Sequence, residues 1–282
     1  MNPIQDAYAH CRRKAFGHYE NFPVASLLLP PQARDGVAAV YAFARAADDF
    51  ADEPEFAPAK RRIGLLKGWA AKLDRKPELP EFVALQDACR RYKIPRQLLK
   101  DLIRAFTQDC LKPRYKNFAE VLGYCRNSAN PVGRLVLRIC DRDDAVAVAE
   151  SDAICTALQL ANFWQDIASD AQIRDRIYLP ADDMKRFGVG DADLKAGRFS
   201  PALRELVRFQ VNRCESYFAA GEGLPARLGG RLGAEIRLTL LGGRRILEKI
   251  RAQGYDTLAK RPKLGKADLP ILAWRFATGK LQ

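Results

Sequence analysis

Two short segments place carboxylates on otherwise apolar ground. In Val37–Glu53, VAAVYAFARAADDFADE, the side chains of Tyr41, Arg45, Asp48 and Asp52 fall within an arc of about 60° at helical spacing. In Ile154–Asp170, ICTALQLANFWQDIASD, those of Gln159, Asn162, Asp166 and Asp170 fall within about 80°, while Leu158, Leu160, Phe163, Trp164 and Ile167 fill the rest. One such stripe would more often be a solvated face than a site. Two aspartates at i and i+4 repel each other mildly unless a cation sits between them. The same DxxxD device recurring 118 residues later suggests two ridges that face each other across a cavity.

The donor set selects the chemistry. Oxygen ligands without histidine or thiolate suit a hard cation, Mg²⁺ above all, which keeps waters and completes its shell with substrate phosphates. Carboxylates alone would repel a diphosphate, whereas carboxylate-held Mg²⁺ attracts it and stabilises it as a leaving group. Arg45 lies on the first ridge, and Arg174, Arg176 and Tyr178 follow the second, placed to hold the released anion. An apolar, aromatic-lined pocket would shelter the carbocation left behind. The implied chemistry is magnesium-dependent ionisation of an isoprenoid diphosphate.

Helices must carry these residues, because helical periodicity runs almost throughout and strand alternation is nearly absent. The pattern predicts helices over about 32–53, 59–74, 81–92, 96–110, 117–140, 144–170, 201–220, 231–252 and 268–278, after a first helix in which Tyr8 and His10 serve packing. Prolines at 30, 31, 54, 77, 80, 95, 113 and 180, and glycines near 188–190 and 221–230, punctuate them. No composition shift or repeat marks a seam, so one all-α domain over 1–282 is expected.

Composition narrows the class further. The chain has 282 residues, 48% hydrophobic and 29% charged, which excludes global disorder. Seven cysteines without CxxC spacing suggest neither a disulfide framework nor a zinc knuckle, and two histidines starve a His-rich metal site. Cys125 and Cys155 read as small buried hydrophobes near the pocket. The N-terminal residues lack the apolar core of a signal peptide, and no run approaches the ~20 apolar residues of a membrane span. A reduced, cytoplasmic protein is the expectation.

At the two aspartate segments the chain resembles the squalene/phytoene synthase family of head-to-head prenyl synthases, along essentially its whole length. The family's first motif corresponds to AFARAADDFADE, and its second to LQLANFWQDIASD followed by DRIYLP, Asp175–Pro180. Within the family, HYENFPVASLLLP (His18–Pro30) and YCRNSANPVGRLVL (Tyr124–Leu137) resemble the hydroxysqualene synthase branch of bacterial hopanoid pathways. Synthases that join two prenyl diphosphates usually carry a basic or serine-bearing segment where this chain has Tyr19-Glu20-Asn21. They also favour a small, glycine-containing segment where it has Ala129-Asn130-Pro131-Val132-Gly133. The departure removes a cation that would help bind a second diphosphate and fits an already condensed C30 substrate.

The resemblance implies an isoprenoid synthase helical bundle with a central cavity, converting presqualene diphosphate and water to hydroxysqualene and diphosphate. It implies that Asp48, Asp52, Asp166 and Asp170 hold Mg²⁺ with help from Asn162. Tyr41, Arg45, Gln159, Arg176 and Tyr178 would contact the diphosphate or its metal shell, while Tyr124, Asn127, Asn130 and His18 would line the reaction pocket. Pathway enzymes would supply the substrate and remove the product. The alternatives are a head-to-head prenyl transferase and a non-enzymatic assembly factor on the same fold. Loss of ridge aspartates would mark the latter, and all four are present.

Other signals are weaker. Gly221-Glu-Gly-Leu-Pro-Ala226 matches GxGxxA by letter but follows a helical pattern rather than a strand, which argues against a dinucleotide site. The net charge is +13, and 16 basic against 7 acidic residues from Arg204 onward carry most of it. No nucleic-acid-binding motif accompanies that charge, so no nucleic-acid partner is expected. Leu264–Phe276, LGKADLPILAWRF, mixes apolar and basic residues as a peripheral contact with the inner face of a membrane would. The competing expectation is that Ile271, Leu272, Trp274 and Phe276 pack on the body.

Overall fold

The computed structural model describes residues 3–17 and 28–280; His18 and Tyr19-Glu20-Asn21 lie outside them. Among the described residues there is no strand, only an isolated parallel bridge between Arg114 and Ile177. The helices in chain order are α1 (Pro3–Gly17), α2 (Pro31–Asp52), α3 (Ala59–Ala71), α4 (Pro80–Arg91), α5 (Arg96–Asp109), α6 (Phe118–Ser128) and α7 (Asn130–Ile139). They continue with α8 (Ala145–Gln165), α9 (Ile167–Gln172), α10 (Ala181–Phe187), α11 (Asp191–Lys195), α12 (Pro201–Gly221), α13 (Leu224–Leu228), α14 (Gly230–Ala252) and α15 (Leu269–Thr278). The expected all-α bundle is what forms.

Two helices are central, and each carries one of the acidic ridges. Helix α2 is wrapped by α1, α3, α4, α5 and α7; α8 is wrapped by α6, α7, α12, α13 and α14. Helix α7 touches both and so sets their separation. Helix α2 begins with Pro31, whose missing N–H is no loss in a first turn, and stops at Glu53, which is extended ahead of Pro54. Alanines at 33, 38, 39, 42, 47 and 51 are buried and let its neighbours approach closely. Helix α8 is capped by Asp144, which accepts from the N–H groups of Val146 and Ala147, worth about 1 kcal/mol.

The wall behind the first ridge is aromatic. Phe43 is fully buried, stacks on Trp69 and meets Phe82 edge-on, and the Trp69 indole donates to the Phe43 carbonyl at 3.2 Å. Truncating one of these rings to alanine would cost about 3–5 kcal/mol. This cluster holds one side of α2 in place and leaves the opposite side for chemistry.

Two expected helices are broken. The stretch 117–140 divides at Ala129, because Pro131 has no N–H for the ladder and its ring would collide with the carbonyl of Asn127. The stretch 144–170 divides at Asp166, whose backbone leaves the helical region at φ −106°, ψ 13°. There the Asp166 carbonyl accepts from both the Asp170 N–H at 2.9 Å and the Ser169 hydroxyl at 3.0 Å. The short helices α10, α11 and α13 are too brief to leave a periodic signal. No helix among the described residues is long and apolar enough to cross a membrane.

Gly221 and Gly223 serve packing. A Cβ on Gly221 would strike Ile154 and the Glu150 carbonyl of α8, and one on Gly223 would meet the Glu150 carboxylate at 2.7 Å. These glycines let the end of α12 close onto α8. No strand precedes them, and Leu224-Pro225-Ala226 begins a five-residue helix.

Candidate active site

The two ridges meet. On the first, Tyr41, Arg45 and Asp48 line a cavity, and Asp52 lies one turn further along α2. On the second, Gln159 and Asn162 line the same cavity from α8, and the Asn162 amide donates to Asp166 at 2.9 Å. Beyond the break, Asp170 is buried on α9. Arg174 then joins the ridges: its guanidinium lies 3.1 Å from Asp170 and 3.7 Å from Asp52. Arg176 strengthens the join, donating from its side chain to Asp52 and from its backbone to the Asp170 carbonyl, both at 2.8 Å.

Charge is compensated throughout this belt. Arg45 pairs with Asp49 at 2.8 Å and lies 3.6 Å from Asp48. Arg261, from the loop after α14, grips both oxygens of Asp166 in a fork, one bond measuring 2.9 Å. Burial pushes the Asp170 carboxyl up to about 7 despite the nearby Arg174. The Arg176 guanidinium, itself buried, is held firmly in its charged form, with Asp109, Tyr178 and Asp52 outweighing its desolvation.

Sequence reasoning missed two members of this assembly. Arg261 lies 95 residues from Asp166, and nothing in the local pattern of a basic tail distinguishes it. Asp109 closes α5 and accepts from the hydroxyls of both Tyr124 (2.5 Å) and Tyr178 (2.8 Å). Desolvation pushes its carboxyl up to about 6, against the pull of Arg176 and the two phenols. Tyr178 stacks on Phe163 with centroids 3.7 Å apart, which fixes the ring beneath the second ridge. A lone aspartate in TQDC carries no spacing signal at all.

The cavity beside the belt measures about 370 Å³, inside the range of small-molecule sites. The wall is mainly aliphatic, including Val40, Leu102, Val132, Leu137, Leu158 and Ile236, with Phe106 the only phenylalanine among the described residues lining it. Gly133 allows α7 to come up against α8 here, since a Cβ would run into Ser151 and Cys155. A smaller hollow of about 220 Å³, between Leu73 and Cys89, has no carboxylate in its wall and is separate from the ridges.

Three residues expected in the pocket wall lie outside it. Tyr124 is turned away by its bond to Asp109, and the buried Asn130 is held by the Thr156 hydroxyl at 3.0 Å. Asn127 lies on α6 and is likewise absent from the wall, which takes Ser128 and Ala129 from this segment instead. Tyr178, expected to reach the diphosphate, commits its hydroxyl to Asp109. Cys155 does line the cavity, whereas Cys125 is buried away from it.

The donors suit Mg²⁺ in kind. No three described histidine, cysteine, aspartate or glutamate side chains converge on one point, but magnesium needs only one or two carboxylates when substrate phosphates complete its shell. Asp48 and Asn162 present oxygens in the cavity wall; Asp52 lies one turn along α2, Asp166 is bonded to the Asn162 amide, and Asp170 lies across Arg174 from Asp52.

Known proteins resemble this chain along most of its length. Residues 16–268 match the family model described as squalene/phytoene synthase. A hydroxysqualene synthase of Rhodopseudomonas palustris is 35% identical over 257 residues, covering 90% of this chain and 87% of that one. A hydroxysqualene synthase of Zymomonas mobilis is 33% identical over 270 residues, covering 94% and 90%. The crystal structure of a squalene synthase from Alicyclobacillus acidocaldarius matches with a TM-score of 0.83 at 38% identity, covering 89% of this chain and 95% of that one. With a family match over most of its length and both acidic ridges in place, the chain belongs to the squalene/phytoene synthase family.

Proposed function

We propose that this protein is a hydroxysqualene synthase, a carbon–oxygen lyase that converts presqualene diphosphate and water to hydroxysqualene and diphosphate. The observation that carries the reading is the convergence of two acidic ridges beside one apolar cavity, joined by Arg174. Relatives named hydroxysqualene synthase support the choice within the family.

Asp48, Asp52, Asp166 and Asp170, with Asn162, are the groups that would hold Mg²⁺. When bound, the ion would neutralise the diphosphate and stabilise it as it leaves. The chain's own residues do the rest. Arg45, Arg174 and Arg176 present guanidiniums to the anion, and Tyr41 and Gln159 mark where the polar mouth gives way to the apolar wall. In the reaction the carbon–oxygen bond to diphosphate breaks with its electron pair, a water oxygen bonds to the carbocation, and that water loses a proton. The aliphatic wall excludes bulk solvent while the C30 cation rearranges.

Mass spectrometry of the products tests this. Presqualene diphosphate with Mg²⁺ should yield hydroxysqualene and diphosphate, and EDTA should stop the reaction. A C30 product from farnesyl diphosphate alone would overturn the proposal in favour of a head-to-head prenyl transferase.

A further inference from the structure

Helix α15 has two apolar faces, and only one of them is covered. Leu272 is buried, Ile271 and Phe276 are partly covered, and Arg275 on the same side pairs with Glu248 of α14. Leu269, Pro270, Ala273, Trp274 and Ala277 point the other way, spanning about 140° of the helix at 100° per residue. Leu269 is 62% exposed, Trp274 52%, and Leu264 just upstream 42%. A helix that is apolar all round is ordinarily buried on all sides. Of the residues expected to pack on the body, Leu272 is buried and Ile271 and Phe276 are partly covered, whereas Trp274 faces outward.

The charge around the uncovered face has one sign. Lys260, Lys263, Lys266 and Lys280 flank it in sequence and are exposed, and the Lys280 ammonium sits 4.9 Å from the centre of the Trp274 ring. The only acidic residue from 260 to 280 is Asp268, which is buried and neutralised by Arg245 and Lys249. An aromatic and leucine face flanked by lysines, with no exposed carboxylate in the stretch, complements an anionic interface with an apolar interior.

The position is informative too. Arg261 grips Asp166, which is bonded to the cavity-lining Asn162, and the neighbouring Pro262 carbonyl accepts from Gln165 at 2.5 Å. Leu264 follows three residues later, a reach of at most about 11 Å. The uncovered face therefore starts a short stretch of chain from the second ridge.

We propose that the outward face of α15, with Leu264 and the flanking lysines, docks on an anionic lipid bilayer and sets the second ridge near it. Trp and Leu enter the headgroup boundary while the lysines meet acidic headgroups. The surface does not depend on which reaction the cavity performs.

The chain carries its own probe. Of its three tryptophans, Trp69 and Trp164 are buried, so an emission shift on lipid contact reports Trp274. With vesicles of mixed phosphatidylglycerol and phosphatidylcholine, the intact protein should float with the lipid and its emission should move to the blue. Pure phosphatidylcholine vesicles or high salt should weaken both effects. Lys263→Ala, Lys266→Ala and Lys280→Ala combined should weaken binding on the order of a hundredfold. Trp274→Phe should erase the shift while flotation persists, and Leu269→Ala with Trp274→Ala should weaken flotation with helical circular dichroism unchanged. Failure to float, or flotation indifferent to all these substitutions, would overturn the proposal. So would a vesicle-independent blue shift that follows protein concentration and coincides with a doubled sedimentation mass, which would make the face a contact between two copies.

Discussion

The two acidic ridges use the same residue spacing and reach different environments. Asp48 and Asp52 sit on an unbroken helix, partly open to water, with side chains 37% and 28% exposed. Asp166 and Asp170 straddle a break, and their side chains are only 12% and 11% exposed. The first ridge is a regular surface feature held by a rigid aromatic wall. The second is buried, bent and tied to the distant Arg261 and to Arg174 four residues along the chain. Identical spacing thus leaves room for one ridge to accept ligands readily and the other to set the geometry.

The comparison can be broken most severely at Asp166. Asp166→Asn should lower turnover about a thousandfold or more while circular dichroism stays helical. Asp48→Asn, on the more exposed ridge, should cost less; equal losses would erase the proposed distinction. The arginines that join the ridges sharpen the contrast through stability. Arg176 is buried, so Arg176→Ala should destabilise the fold by about 3 kcal/mol in chemical denaturation. Arg174, with 42% of its side chain exposed, should cost no more than about 1 kcal/mol.

The smallest expected effect is a pH slope. With its carboxyl pushed up to about 6, Asp109 keeps a proton in the folded chain that the unfolded chain releases near 4. Its contribution is complete below the unfolded value and is lost as pH rises through about 6. The stability of the parent relative to Asp109→Asn should therefore decline between about pH 4 and 6 and level off above. A flat difference across that window would mean the carboxyl titrates normally.

The legible parts of the site were those written in local spacing. Tyr41, Arg45 and Asp48 share one face because a helix repeats every 3.6 residues, and the alternation of aspartate with alanine and aromatics identifies that face. Arg261 and Asp109 were illegible because tertiary packing alone brings them to Asp166 and Tyr178. The break at Ala129 had a visible cause in Pro131, but apolar periodicity continued across it and concealed the interruption. The break at Asp166 had no such signal, since no proline or glycine stands near it in the sequence. In the tail, composition identified an apolar, basic segment, yet which of its faces packs depends on where α14 lies.

The guanidinium belt carries one last consequence. Asp48, Asp52, Asp166 and Asp170 each already have a positive neighbour supplied by the chain. No cluster of bare negative charge waits for an ion before the polypeptide can settle, so chelator should silence turnover yet leave the melting temperature within a few degrees. If the proposed function holds, a catalyst built this way would keep its shape whether or not a metal is bound.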